Sequence, residues 1–229
     1  MKVTWLTQAG LLFESDKVTV LVDPYLSDSV GEIDAAKHRR IPVKEEYFEV
    51  KPDVILITHN HLDHLDPATL SHYLGADREC VNVLSPGASY DKLCQMGGGH
   101  NYVLLDPHSV YSVNGVTFYS VRAAHSDRTA CGFIIDDGEK TYYVSGDTVY
   151  NFDVIDDVLD LVESGVDYAF LPINGKGNNM HARDAADFAY EIGAHFAVPL
   201  HYGLFDDLDA SEFDFEDAVV LTPYEPTEL

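Results

Sequence analysis

The sequence predicts an α/β fold, a sandwich of mixed sheets with helices on its outer faces. Three observations predict it. Short strand-like runs crowd the N-terminal third and cluster again over 102–144. Runs with helical spacing are interleaved among them, the order expected when helices cover sheets. A chain of 229 residues can bury enough surface to fold without covalent staples. No repeat, low-complexity tract or linker divides 1–229, so one domain is expected.

In order, 3–7, 11–14 and 18–22 read as a meander broken by Gly10 and by Ser15-Asp16. Pro24 ends the third strand, because proline cannot donate to a ladder, and 27–50 is a charged surface excursion. Val54-Ile55-Leu56-Ile57 is apolar without alternation, the pattern of a strand covered on both faces. Pro67 opens a helix through 74. A strand at 81–84 leads to Ser85-Pro86, an N-cap and first helical residue for 86–94. Gly97-Gly98-Gly99 ends that unit. Strands at 102–105, 116–121, 131–136 and 141–144 follow, with Asp137-Gly138 as a hairpin turn between the last two. A helix at about 152–163 and a buried strand at 168–171 come next. A helix at about 181–192 shows Ala182, Ala185, Ala186, Ala189 and Ile192 at helical spacing, and 197–200 is a final strand.

Composition removes several functions. Hydrophobic residues at 46% exclude a mainly disordered chain. No apolar run reaches the roughly 18–20 residues of a membrane span, and Met1-Lys2-Val3-Thr4-Trp5 reads as a strand and not a signal peptide. A cytoplasmic protein without a membrane partner is expected. Fourteen Lys plus Arg stand against 39 Asp plus Glu. Nucleic-acid binding needs clustered cations on phosphates, and the longest basic run, Lys37-His38-Arg39-Arg40, reads as a solvated loop. No nucleic-acid partner is expected. Cys80, Cys94 and Cys131 form no Cys-x-x-Cys pair and read as reduced thiols.

His59-Asn60-His61-Leu62-Asp63-His64 sets four candidate metal ligands within six residues, directly after a buried strand. Imidazole and carboxylate suit zinc, manganese, iron and similar divalent ions. Those four groups cannot complete two coordination shells, so further ligands are expected at other strand ends. His125, Asp147 and His201 each stand just past an apolar strand, where a rigid scaffold carries its site. His38, His72, His100, His108 and His195 read as structural or surface residues.

The order His-x-His-x-Asp-His, then His125, then Gly146-Asp147-Thr148, then His201 resembles the metallo-β-lactamase superfamily over nearly the whole chain. That resemblance implies an αββα sandwich with two mixed sheets, outer helices and a two-metal site along one edge. It implies that His59, His61 and His125 hold the first ion, that Asp63, His64 and His201 hold the second, and that Asp147 bridges them. Leu171-Pro172-Ile173-Asn174-Gly175, Asn179-Met180 and Pro199-Leu200-His201-Tyr202-Gly203 resemble the branch containing L-ascorbate-6-phosphate lactonase, although the stretch from Gly175 to Asn179 is shorter here. That branch contains oligomers, so a homo-oligomer is an expectation by analogy.

The expected cofactors are two divalent ions, with zinc, manganese, iron and nickel all compatible. Against Asp63 and Asp147 they leave a net charge of about +2, enough to bring the pKa of a shared water to about 7. The resemblance also suggests that Asp63 moves a proton as well as binding. Asp23 and then Asp66 are candidates to receive the outer N–H of a metal-binding histidine, each equally readable as an Asx turn or helix cap. Lys176, Asn179, His181 and Tyr202 are candidate substrate contacts, with ordinary loop residues as the competing reading. The expected function is a metal-dependent hydrolase of a small ester, lactone or phosphoester. The alternatives are a phosphodiesterase or nuclease of the same superfamily, a di-iron redox protein, and a metal-bound sensor.

Overall fold

The computed structural model describes residues 1–162 and 164–229. In chain order, the first elements are β1 (Lys2–Trp5), β2 (Leu11–Glu14), β3 (Thr19–Val22), α1 (Ser29–Ile33), β4 (Val54–Leu56), α2 (Pro67–Leu70), β5 (Asn82–Ser85), α3 (Gly87–Cys94) and β6 (Asn101–Leu104). They are followed by β7 (Val110–Val113), β8 (Val116–Arg122), β9 (Cys131–Asp136), β10 (Thr141–Val144), α4 (Phe152–Leu161), β11 (Tyr168–Pro172), α5 (Ala182–Glu191), β12 (Phe196–Leu200) and β13 (Thr227–Glu228).

Both sheets are mixed. The first runs β13-β1-β2-β3-β4-β5-β6, antiparallel as far as β3 and parallel from β3 to β6. The second runs β12-β11-β10-β9-β8-β7, parallel over β12-β11-β10 and antiparallel beyond. Pro199 lies in β12, an edge strand, where a missing N–H is tolerated.

Side chains alternate across each strand, and the central strands of each sheet are buried on both faces. Val20, Val22, Val54, Leu56, Phe133, Ile135, Tyr142, Val144 and Phe170 meet between the sheets. Their neighbours Leu21, Ile55 and Ile57 point the other way, under Leu70 of α2 and Leu93 of α3. Ile134, Tyr143, Ala169 and Leu171 face Val154 and Val158 of α4 and Ala185, Phe188 and Ala189 of α5. This gives the four layers helix, sheet, sheet, helix.

The structure adjusts several boundaries. α2 stops at Leu70, four residues before the expected end, and 71–74 continues as turns. Ser85 is the last residue of β5, which moves the cap position of α3 to Pro86. α4 ends at Leu161, and residue 163 of the expected helix lies outside the described residues. α1 interrupts the 27–50 excursion. β7 was not expected; it pairs with β8 through Asn114 and Gly115, both at positive φ (52° and 76°), as a two-residue hairpin turn requires.

Candidate metal centre

Strand ends converge at one edge of the sandwich. The chain leaves β4 at Ile57 and runs through Thr58 into the His59–His64 turn, which closes with the His64 and Leu65 amides donating to the His61 carbonyl. Leu65 is buried in the outer apolar layer and anchors the turn. Gly146 makes room for it: at φ 59°, a Cβ there would stand 2.7 Å from the Thr58 side chain. Asp147 follows β10, His125 follows β8 and His201 follows β12.

The structure brings all seven expected ligands together. His64 Nε2 lies 3.3 Å from His201 Nε2 and 3.4 Å from Asp147 Oδ1. His201 Nε2 is 3.3 Å from the same Asp147 oxygen and 3.4 Å from Asp63 Oδ2. On the other side, Asp147 Oδ2 faces His59 Nε2 at 4.0 Å and His125 Nε2 at 3.9 Å, with His61 Nδ1 3.2 Å from His125 Nε2. A tetrahedral ion with donors about 2.0–2.2 Å away sets them about 3.3–3.6 Å apart, so the pocket of Asp63, His64, His201 and Asp147 fits a divalent ion. His59 Nε2 and Asp147 Oδ1 are buried without a hydrogen-bond partner, another sign that the donor set suits a cation.

Electrostatics divide the cluster. Burial, with His64 next, pushes His59 well below the usual imidazole range, and burial lowers His125. Burial also opposes charge on His64 and His201, but Asp147 and Asp63 outweigh it and raise both, His64 by a wide margin. Burial would raise Asp63 and Asp147; His64 and His201 instead hold both below the carboxylate range.

Asp23, at φ 42° after β3, lies behind the imidazoles. Its Oδ2 accepts from His64 Nδ1 at 2.7 Å and from Thr58 Oγ1 at 2.5 Å, and its Oδ1 accepts from the Thr58 amide at 2.8 Å. With the Thr58 hydroxyl proton so engaged, Oγ1 accepts from His59 Nδ1 at 3.0 Å. One carboxylate thus orients two histidines.

Asp66 is different. It caps α2, accepting from the Ala68 and Thr69 amides, the Thr69 hydroxyl and Ser29 Oγ. Its partners are a helix end and a neighbouring serine, which corrects the expectation that it supports a ligand. His181 is likewise the N-cap of α5, accepting from the Asp184 amide, and does not line the cleft. Lys176, Asn179 and Tyr202 do line it, together with Asp63, His61 and Asp147, around a volume of about 600 Å³.

Two neighbours escaped the sequence reading. Gln8, buried at φ 50° between β1 and β2, donates from Nε2 to Asp63 Oδ2 at 2.8 Å, and its carbonyl accepts the His201 amide at 3.0 Å. Asn174, just past β11, places Nδ2 2.9 Å from His201 Nδ1. Gln8 has no local signal, because a lone amide matches no ligand pattern. Asn174 stands in the 171–175 stretch that carries the resemblance, but is not among the expected site residues.

A two-sheet α/β sandwich carrying this His/Asp cluster at its strand ends defines the class as metal-dependent hydrolases of the metallo-β-lactamase type. Residues 18–202 match the family described as Beta-lactamase superfamily domain. The chain belongs to that superfamily and, within it, to the UPF0173 metal-dependent hydrolases. It is 31% identical to the UPF0173 metal-dependent hydrolase of Methanopyrus kandleri over 94% of this chain and 90% of that protein. Its identity to the one from Thermococcus kodakarensis is also 31%, over 100% of both. Its fold is similar to that of a metallo hydrolase from Ignicoccus hospitalis, with a TM-score of 0.78 at 22% identity, covering 99% and 97% of the two chains. Among the described residues, no helix is long and apolar enough to cross a membrane.

Proposed function

We propose that the chain is a binuclear hydrolase of a small ester, lactone or phosphoester, as in the L-ascorbate-6-phosphate lactonase-like branch. The observation that carries this reading is the division of Asp147, whose Oδ1 lies against His64 and His201 while Oδ2 faces His59 and His125. A carboxylate so divided suits two ions: His59, His61 and His125 for the first, Asp63, His64 and His201 for the second. Zinc, manganese, iron and nickel all accept this donor set. When bound, such ions supply a Lewis acid and water acidified to near neutrality.

The chain's own residues do the rest. Asp63 lines the cleft as an ionised carboxylate with one oxygen held by Gln8, oriented to take a proton from the attacking water and pass it to the leaving group. Lys176, Asn179 and Tyr202 line the same cleft, which supports a role for them in binding and orienting the substrate. Its volume of about 600 Å³ suits a small molecule better than a polynucleotide.

The test is to strip the protein with a chelator, restore single divalent ions, and assay lactones, phosphomonoesters and phosphodiesters. Hydrolysis should vanish on chelation and return as two ions bind per chain, with lactones or phosphomonoesters preferred. Full activity with one ion, or activity that survives chelation, would overturn the proposal.

A further inference from the structure

His59, His64 and His125 have their outer nitrogens fixed by acceptors: Thr58 Oγ1, Asp23 Oδ2 and, at 3.2 Å, the Asn178 carbonyl. In the neutral, metal-binding form each therefore carries its hydrogen on Nδ1 and turns an Nε2 lone pair toward the cluster. His201 differs. Its Nδ1 faces two amide nitrogens, Asn174 Nδ2 at 2.9 Å and Gln8 Nε2 at 3.3 Å, the latter standing as close to His201 Nε2, at 3.2 Å. The Gln8 amide is locked in that sense, because the same nitrogen donates to Asp63 Oδ2, which only accepts. The Asn174 amide is not locked. Its Oδ1 is buried without a hydrogen-bond partner, and the two ends of a carboxamide are nearly the same size. A half-turn about Cβ–Cγ therefore sets Oδ1 where Nδ2 lies.

Resting on the binuclear reading, we infer that Asn174 is the positioning residue for the second ion, accepting from His201 Nδ1–H and so fixing Nε2 as the unprotonated nitrogen. The His201 backbone is already set, at φ 62° with its amide on the Gln8 carbonyl. Ring rotation and tautomer are the freedoms left, and one acceptor at Nδ1 settles both.

The test titrates metal-free wild type, Asn174→Leu and Asn174→Asp with cobalt(II), reading visible absorption and ions bound per chain. Wild type should bind two. Asn174→Leu, similar in size but without an acceptor, should bind the first ion normally and the second about 10–100-fold more weakly. Asn174→Asp keeps the acceptor and should restore the second to near wild type. A leucine variant that binds the second ion as tightly as wild type overturns the inference, and so does an aspartate variant that fails to rescue. If Asn174→Leu does not fold, the aspartate variant still decides the point. A wild-type chain that takes up one ion overturns the binuclear reading and the inference with it, and the wild-type titration alone distinguishes that failure.

Discussion

His59, His61 and His125 meet one oxygen of Asp147 as three imidazoles, whereas His64 and His201 share their pocket with two carboxylates, Asp63 and Asp147. In the first pocket burial keeps His59 and His125 neutral, with lone pairs ready for a cation. In the second the carboxylates outweigh burial and raise His64 and His201 above the usual imidazole range. Seven donors of similar kind thus make one half where burial favours the neutral imidazole and one half where carboxylates favour the charged form. The difference teaches that a proton competes with a cation more strongly in the second pocket than in the first.

Breaking the link between the halves gives the largest effect. Asp147→Ala removes the group both pockets share, so turnover should fall below detection, and metal analysis should find fewer than two ions per chain. Asp63→Asn strikes only the second pocket. It should lower turnover about 10²–10⁴-fold, the usual worth of a positioned proton-transfer group, while the first pocket keeps its ion. Steady-state kinetics with metal counting checks this, and retained activity would remove the proton role.

Protons sharpen the comparison further. Calorimetric zinc titrations near pH 7, in buffers of different ionisation enthalpy, should show little proton release for the first ion and about one to two protons for the second. Equal release from both would erase the contrast. The sign for stability follows from the raised histidines. Their contribution to the metal-free fold is fully present below about pH 6.5 and is lost as pH rises through the folded-state values. The melting temperature of the metal-free protein should therefore lose ground above pH 6.5, while the zinc-loaded protein does not. The smallest effect is the control, Asp66→Ala. Loss of the α2 cap should cost about 1 kcal/mol in denaturant unfolding and leave both metal affinities unchanged.

Much of this was legible in the chain because its signals are local. Val54-Ile55-Leu56-Ile57 announces a doubly covered strand, and the histidines after it sit at a spacing that ordinary loops lack. β7 was missed although Asn114-Gly115 carries its turn signal, because 110–113 mixes exposed and half-buried residues and shows little apolar contrast. Asp23 could be anticipated from its place at a strand end. Asp66 could not be told from it, since both are aspartates beside proline and only the fold decides which one meets an imidazole. Gln8 and Asn174 stand 166 positions apart and become partners of one ring only when the turn after β1 in one sheet meets the ends of β11 and β12 in the other.

Thr7, Gln8, Asp23, Asn178 and His201 all adopt left-handed backbone, and four of the five touch the cluster directly. Such residues cost of order 1–3 kcal/mol each unless their surroundings hold them. Thr7 is braced by Arg39 through its hydroxyl. Grafting the seven donors onto a foreign sandwich would therefore fail to reproduce the cage. The bent segments that aim them, and the distant braces that keep those segments bent, would have to travel along.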